Sequence, residues 1–227
     1  MAGEIAPQGM GFFAQMREKL KQEPISLEPV TDRNFPHLRP SLVELSDAST
    51  KDGLLPMTGN PQETPEEWAS TAKALWIAGK KDGGRFIAPE NITGFVNLYA
   101  PTHEDVVNDW LVKRNMHAYN PGELVEVSAF AKDGPEKHAL EISAYKLGLG
   151  KAFTDESFKD IRASTLWVTH NDKNAVEPSD MADMKKLGGF PIGTMKYAES
   201  EAVDSTCFLI TRNGYLDALS GKKRLPR

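Results

Sequence analysis

Residues 124–170 restrict the folds open to this chain more than any other stretch. LVEVSAFA (124–131) sets Val125, Val127 and Ala129 on one side and reads as a strand. KDGP (132–135) is a turn, and Pro135 can start a helix over EKHALEISAYKLGLG that Gly148 and Gly150 are expected to end. STLWVTH (164–170) is a second strand. A strand, a crossover helix and a strand in succession imply a partly parallel sheet. The helix opens with amides that have no partner inside the helix, which is the geometry of an anion site. Lys132, Lys137 and His138 surround that opening and could add charge to a phosphate contact, although lysines there serve equally as solvated surface.

The flanking segments add strands and helices to both sides of this unit. MGFFAQMREKLKQ (10–22) has Met10, Phe13, Met16 and Leu20 at helical spacing and predicts an amphipathic helix that packs on the domain or docks elsewhere. ISLEPVT (25–31) alternates as a half-buried strand, NFPHLRPSLVELSD predicts a helix, and residues 47–63 predict a long loop. TPEEWASTAKALWIA (64–78) opens with a helix-start signature at Thr64, Pro65, Glu66 and Glu67. RFIA and ITGFVNLYA (92–100) predict a strand pair, and 103–118 a helix. After the central unit come a helix over 177–187 begun by Pro178, a break at Gly188-Gly189, and strands PIGTMKY and DSTCFLITR (204–212). The division expected is an arm over 1–24, one domain over 25–216 and a frayed basic tail over 217–227. The fold class is α/β (α+β), with a mixed, partly parallel central sheet flanked by helices.

Composition excludes more than it selects. The chain has 227 residues, 40% hydrophobic and 26% charged, an ordinary balance for a globular domain. A formal charge of −5 argues against non-specific binding to nucleic acid or a membrane surface. No apolar run is long enough to span a bilayer, and the first residues lack the basic and apolar regions of a signal peptide, so a cytoplasmic protein is expected. A single cysteine, Cys207, excludes an internal disulfide and lies in an apolar strand where a buried thiol is usual. The five histidines are scattered without metal-ligand spacing, and no Gly-x-Ser-x-Gly occurs. The aromatics Trp76, Phe95, Tyr99, Trp110 and Trp167 read mostly as core.

The order of elements and the last third of the chain resemble the GNAT superfamily of N-acetyltransferases over about residues 25–212. LVEVSAFA corresponds to its central strand, KDGPEKHA to its pyrophosphate turn, STLWVTH to the following strand, and Asn171 or Asn174 to its asparagine. MKKLGGF (184–190) is similar to the family's Lys-Leu-Gly-Phe break, with one glycine more, and ALWIA and ITGFVNLY are similar to its upstream strands. The Arg/Gln-x-x-Gly-x-Gly/Ala signature is absent, and Met181 and Met184 stand where a tyrosine acid is common.

The resemblance implies acetyl-CoA as cosubstrate and an amine of a small molecule or protein as acceptor. It implies a cofactor site at Val127, Ala129, Lys132, Gly134, Lys137, His138, Asn171 and Asn174. For catalysis it implies Glu126 as base, placed opposite Val125 and Val127, with Tyr197 as a proton donor beside the further candidates Tyr145 and Cys207. Partners expected are the acceptor and a homodimer or a docking partner reached through 10–22, with no nucleic acid and no membrane. Two other readings remain: a catalytically inactive GNAT-like binding or assembly module, and a hydrolase or transferase of another α/β fold.

Overall fold

The computed structural model describes residues 20, 23–51, 64, 66–67, 72–80, 87–101, 104–170, 176–196 and 204–221. Within them run seven strands: β1 (Ser26–Pro29), β2 (Ala74–Gly79), β3 (Ile92–Tyr99), β4 (Leu124–Ala131), β5 (Ala163–Thr169), β6 (Gly189–Lys196) and β7 (Asp204–Thr211). They form one sheet in the order β1-β2-β3-β4-β5-β7-β6. Only β4 and β5 pair in parallel; the other neighbours are antiparallel. The helices are α1 (Phe35–Lys51), α2 (Glu104–Val112), α3 (Lys137–Thr154), α4 (Pro178–Lys186) and α5 (Arg212–Ser220).

Alternation along β4 divides the core into two layers. Val125, Val127 and Ala129 face α3, α4 and α5 and pack with Leu149, Phe153, Met184 and Tyr215. On the opposite face, α1 sends Leu38, Leu42 and Leu45 onto Leu75, Ile77, Phe95 and Phe130. Farther along that face, α2 sends Val107 and Leu111 onto Leu124, Cys207 and Leu209. The sheet is therefore covered on both sides, as parallel pairing requires.

Several elements differ from the sequence expectation. ALWIA belongs to β2 instead of a helix over 64–78. Its residues 75–79 are buried between β1 and β3, and an apolar run of that length carries no period to separate helix from strand. The helix-start signature itself is real: Thr64 N donates to Glu67 Oε2 at 2.8 Å and Glu67 N to Thr64 Oγ1 at 3.3 Å. Ile87 and Ala88 of RFIA lie outside any strand, and the Ile87 amide donates to the buried Glu28 carboxylate at 2.8 Å. Helix α1 extends to Lys51, inside the expected loop. Helix α2 stops at Val112, followed by Asn115 in the left-handed region with φ 57°.

Gly148 and Gly150 do not end α3, which runs on to Thr154. They are where other elements come closest. A Cβ on Gly148 would lie 2.6 Å from Val96 Cγ1, and one on Gly150 would lie 2.5 Å from Leu20 Cδ1. Leu20, the one described residue of the expected 10–22 helix, thus packs on α3, and Glu23 pairs with Lys146 beside it. At the other end of the chain, a helix replaces the expected fraying after Leu216. Thr211 caps α5 by accepting from Gly214 N at 3.0 Å, and Tyr215 is fully buried.

Candidate active site

The site begins where the parallel pair stops. The β4–β5 ladder holds only at Leu124↔Ala163, Val125↔Ser164 and Glu126↔Thr165. Beyond Glu126, β4 stays paired with β3 as far as Ala131, while β5 continues beside β7 to Thr169. The two strands therefore part over residues 127–131, a length of about 16 Å at ~3.3 Å per residue. Lys132 N donates to Thr93 O, so the backbone groups of even-numbered β4 residues point to β3 and those of odd-numbered residues point into the gap. Ala129 thus turns both its N–H and its C=O toward the opening. Ala131 N is taken by Glu141 Oε1 at 3.3 Å.

One wall of this gap carries polar side chains. Glu126 is 2% exposed and lies on the face opposite Val125 and Val127, as its place in the alternation implies. The Tyr99 hydroxyl, directly across the β3–β4 ladder, donates to Glu126 Oε1 at 2.7 Å. Asn97, 2% exposed, stands on the same face opposite Ser128. These residues lie between the apolar clusters under α1 and α2. Ser128 and Trp167 on that face, at the parting of the strands, are only partly buried.

At its far end the gap meets the start of α3. That helix has no side-chain cap and no acidic residue in its first turn; its Lys137 amide donates to Gly134 O at 3.1 Å, so the His138 and Ala139 amides are the ones an anion would meet. A Cβ on Gly134 would meet nothing within 4 Å, which leaves free space above the turn. Lys132 pairs with Glu44 at 2.9 Å and Lys137 with Asp133 at 2.9 Å. Both carboxylates are well exposed, and such pairs contribute only about 0–1 kcal/mol, so a phosphate can displace them. Of the described residues, Ala129 along the gap and Lys132, Gly134 and Lys137 at the turn are those that could hold a diphosphate on an extended arm.

His138 is engaged elsewhere: its Nε2 lies 3.1 Å from Asp183 Oδ2 and its Nδ1 3.6 Å from Asp180 Oδ1. It ties the start of α3 to α4. The Lys186 hydrogen bond, and then the one from His138, hold the Asp183 carboxyl below its ordinary range, while burial raises that of Asp180. Asn171, Asn174 and Tyr197 lie outside the described residues. Met184 is a core residue and Met181 packs beside it, which accounts for apolar residues in the second helix. Tyr145 packs on the same core layer. Cys207 is completely buried, and burial followed by the charge of Glu126 pushes its thiol far up. It is poorly suited to donate a proton on demand. We expect Cys207 to stay unmodified by a maleimide in the native protein and to react at once in denaturant; native labelling at the unfolded rate would contradict its burial. Among the described residues, no cluster of three or more His, Cys, Asp or Glu could hold a metal. No helix among them is long and apolar enough to cross a membrane.

Sequence reading missed Tyr99 and Asn97. Asn97 is a lone amide in the apolar run ITGFVNLY, and such an interruption is the signal that could have singled it out. Tyr99 needed the register that sets it against Glu126.

Comparison with known proteins gives a consistent fold at low identity. A spermidine N-acetyltransferase from Vibrio cholerae, solved as a dodecamer, is 14% identical with a TM-score of 0.53, covering 86% of this chain and 97% of its own. The Vibrio cholerae spermidine N-acetyltransferase in complex with CoA and spermine is 13% identical with a TM-score of 0.50, covering 85% and 98%. A chain described as a probable acetyltransferase of the GNAT family from Chromobacterium violaceum is 17% identical with a TM-score of 0.50, covering 86% and 92%. No family model and no curated protein sequence matches the chain. The mixed seven-stranded sheet, its single parallel pair that parts midway, and these structural likenesses place the chain in the GNAT fold.

Proposed function

We propose that this chain transfers an acetyl group from acetyl-CoA to an amine of a small molecule or protein. The observation that carries the proposal is the parting of β4 and β5 immediately after Glu126, with a buried carboxylate at its apex and an uncapped 18-residue helix at its end. A structural neighbour holds CoA together with an amine, spermine, which supports the same ligand classes here.

The bound thioester supplies an acetyl carbonyl activated toward nucleophiles. The backbone of Ala129 hydrogen-bonds the arm that carries it, while Val127 and Ala129 supply apolar support from the other face. The α3 amides with Lys132 and Lys137 hold the phosphates; His138 steadies the helix start through α4, and Asn171 and Asn174 are further candidate contacts. As the acceptor nitrogen bonds the carbonyl carbon and the carbon–sulfur bond breaks, the Glu126 carboxylate takes the proton the amine loses. The Tyr99 hydroxyl fixes the carboxylate's orientation, and Tyr197 is the candidate donor to the leaving sulfur.

The test is release of free thiol from acetyl-CoA with a panel of primary amines. Amine-dependent release supports the reading, and none with any amine or basic peptide rejects it. The double charge reversal Lys132→Glu with Lys137→Glu is expected to weaken acetyl-CoA at least tenfold, more at low salt than high, with the melting temperature little changed. An unchanged affinity would remove the phosphates from this turn.

A further inference from the structure

We infer that Asn97 is the residue that selects the acceptor, by accepting a hydrogen bond from its amino group. This rests on the acetyl-transfer reading and adds to it a specificity-determining contact on β3.

The Asn97 side chain is buried, yet its Oδ1 has no hydrogen-bond partner among the described residues. A buried polar atom left without a partner costs about 1–3 kcal/mol, so it calls for a reason. Its surroundings supply one. Asn97 and Tyr99 are two residues apart on one face of β3, and their β4 partners are Ser128 and Glu126. Asn97 is therefore a diagonal neighbour of Glu126, at roughly 7–8 Å between backbones, a distance one small ligand group can bridge. The partly exposed Ser128 directly opposite connects Asn97 to the parting of β4 and β5.

The chemistry defines what fits there. Oδ1 is an acceptor and the adjacent carboxylate is an acceptor, while the Tyr99 hydroxyl already donates to Glu126. A group that satisfies both acceptors must present several N–H bonds in a small volume, as a primary amine or ammonium does. A carboxylate, or a tertiary amine with no N–H to spare, is rejected because the buried Oδ1 stays unpaired.

The experiment compares wild type with Asn97→Leu and, should leucine not be accommodated, Asn97→Ala. Removing an unpaired buried amide is expected to keep or raise the melting temperature of Asn97→Leu. The KM for a primary amine is expected to rise about tenfold or more, with the KM for acetyl-CoA within twofold of wild type. An unchanged amine KM, or an equal rise of both KM values, overturns the assignment. If wild type acetylates no amine, the transfer reading fails and thermal shift with millimolar 1-propylamine and 1,4-diaminobutane becomes the readout. Stabilisation of wild type but not of Asn97→Leu still upholds the amine site; no stabilisation of wild type, or equal stabilisation of both, overturns it.

Discussion

Glu126→Gln is expected to lower kcat by about 100- to 10,000-fold, the usual range for loss of a positioned general base. The KM for acetyl-CoA should stay near wild type, because the proposed cofactor contacts lie along residues 127–138 and not at the carboxylate. Glutamine still offers an oxygen to the Tyr99 hydroxyl at the position Glu126 Oε1 holds, 2.7 Å away. Melting should therefore shift by no more than about 4 °C, roughly 1 kcal/mol for a chain of this size. Tyr99→Phe, which releases the carboxylate without removing it, should cost less than Glu126→Gln. Full activity in Glu126→Gln at saturating substrates would move proton removal to another group.

Gly188→Ala is expected to harm folding through both conformation and contact. Gly188 follows α4 with φ +80°, and a Cβ there would lie 2.4 Å from Gly214 O and 2.5 Å from Gly214 C, both backbone atoms of α5. The left-handed conformation costs a non-glycine residue about 1–2 kcal/mol and the overpacking about 1–3 kcal/mol more. Together they imply about 2–5 kcal/mol, or a fall in melting temperature of roughly 4–20 °C. Gly221→Ala is the internal control, since Gly221 has φ +72° with nothing within 4 Å. It should show only the conformational part. Equal losses in the two variants, read by thermal melting, would mean that the α4–α5 contact does not matter.

These two sites also show how far the sequence could be read. The Gly-Gly break is visible as letters, and so is its position between a helix and a strand. Its close approach to α5 is not, because the RNGYLDALS helix carries a glycine and no strong apolar period, and its residues from 217 on read as a tail. The β4–turn–α3–β5 unit was readable because Val125, Val127 and Ala129 alternate and Pro135 punctuates the turn. The end of α3 was misjudged for a physical reason: Gly148 and Gly150 accommodate Val96 and Leu20, contacts that no local propensity encodes. The helical reading of 64–78 fails at ALWIA for a related reason, since a strand buried on both faces has no period, while its likeness to an upstream GNAT strand holds as β2.

Within the candidate site, Glu126 follows from alternation alone. Its partner Tyr99 depends on a β3–β4 register set across a 27-residue separation, and Asn97 becomes notable only once its burial is known. Lys132 and Lys137 flank the turn between β4 and α3 as expected, but their pairing with Glu44 and Asp133 was not foreseeable for Glu44, which comes from a helix 88 residues away. His138, read as a phosphate contact, lies 3.1 Å from Asp183 Oδ2 and so joins α3 to α4, a contact that its place in the sequence does not encode.

The central claim is that the gap between β4 and β5, closed by the start of α3, is a coenzyme site. Calorimetric titration of acetyl-CoA into the full chain tests it most directly. The account predicts one site per chain with micromolar affinity, weakened by Lys132→Glu with Lys137→Glu. Absence of binding at millimolar acetyl-CoA would contradict it.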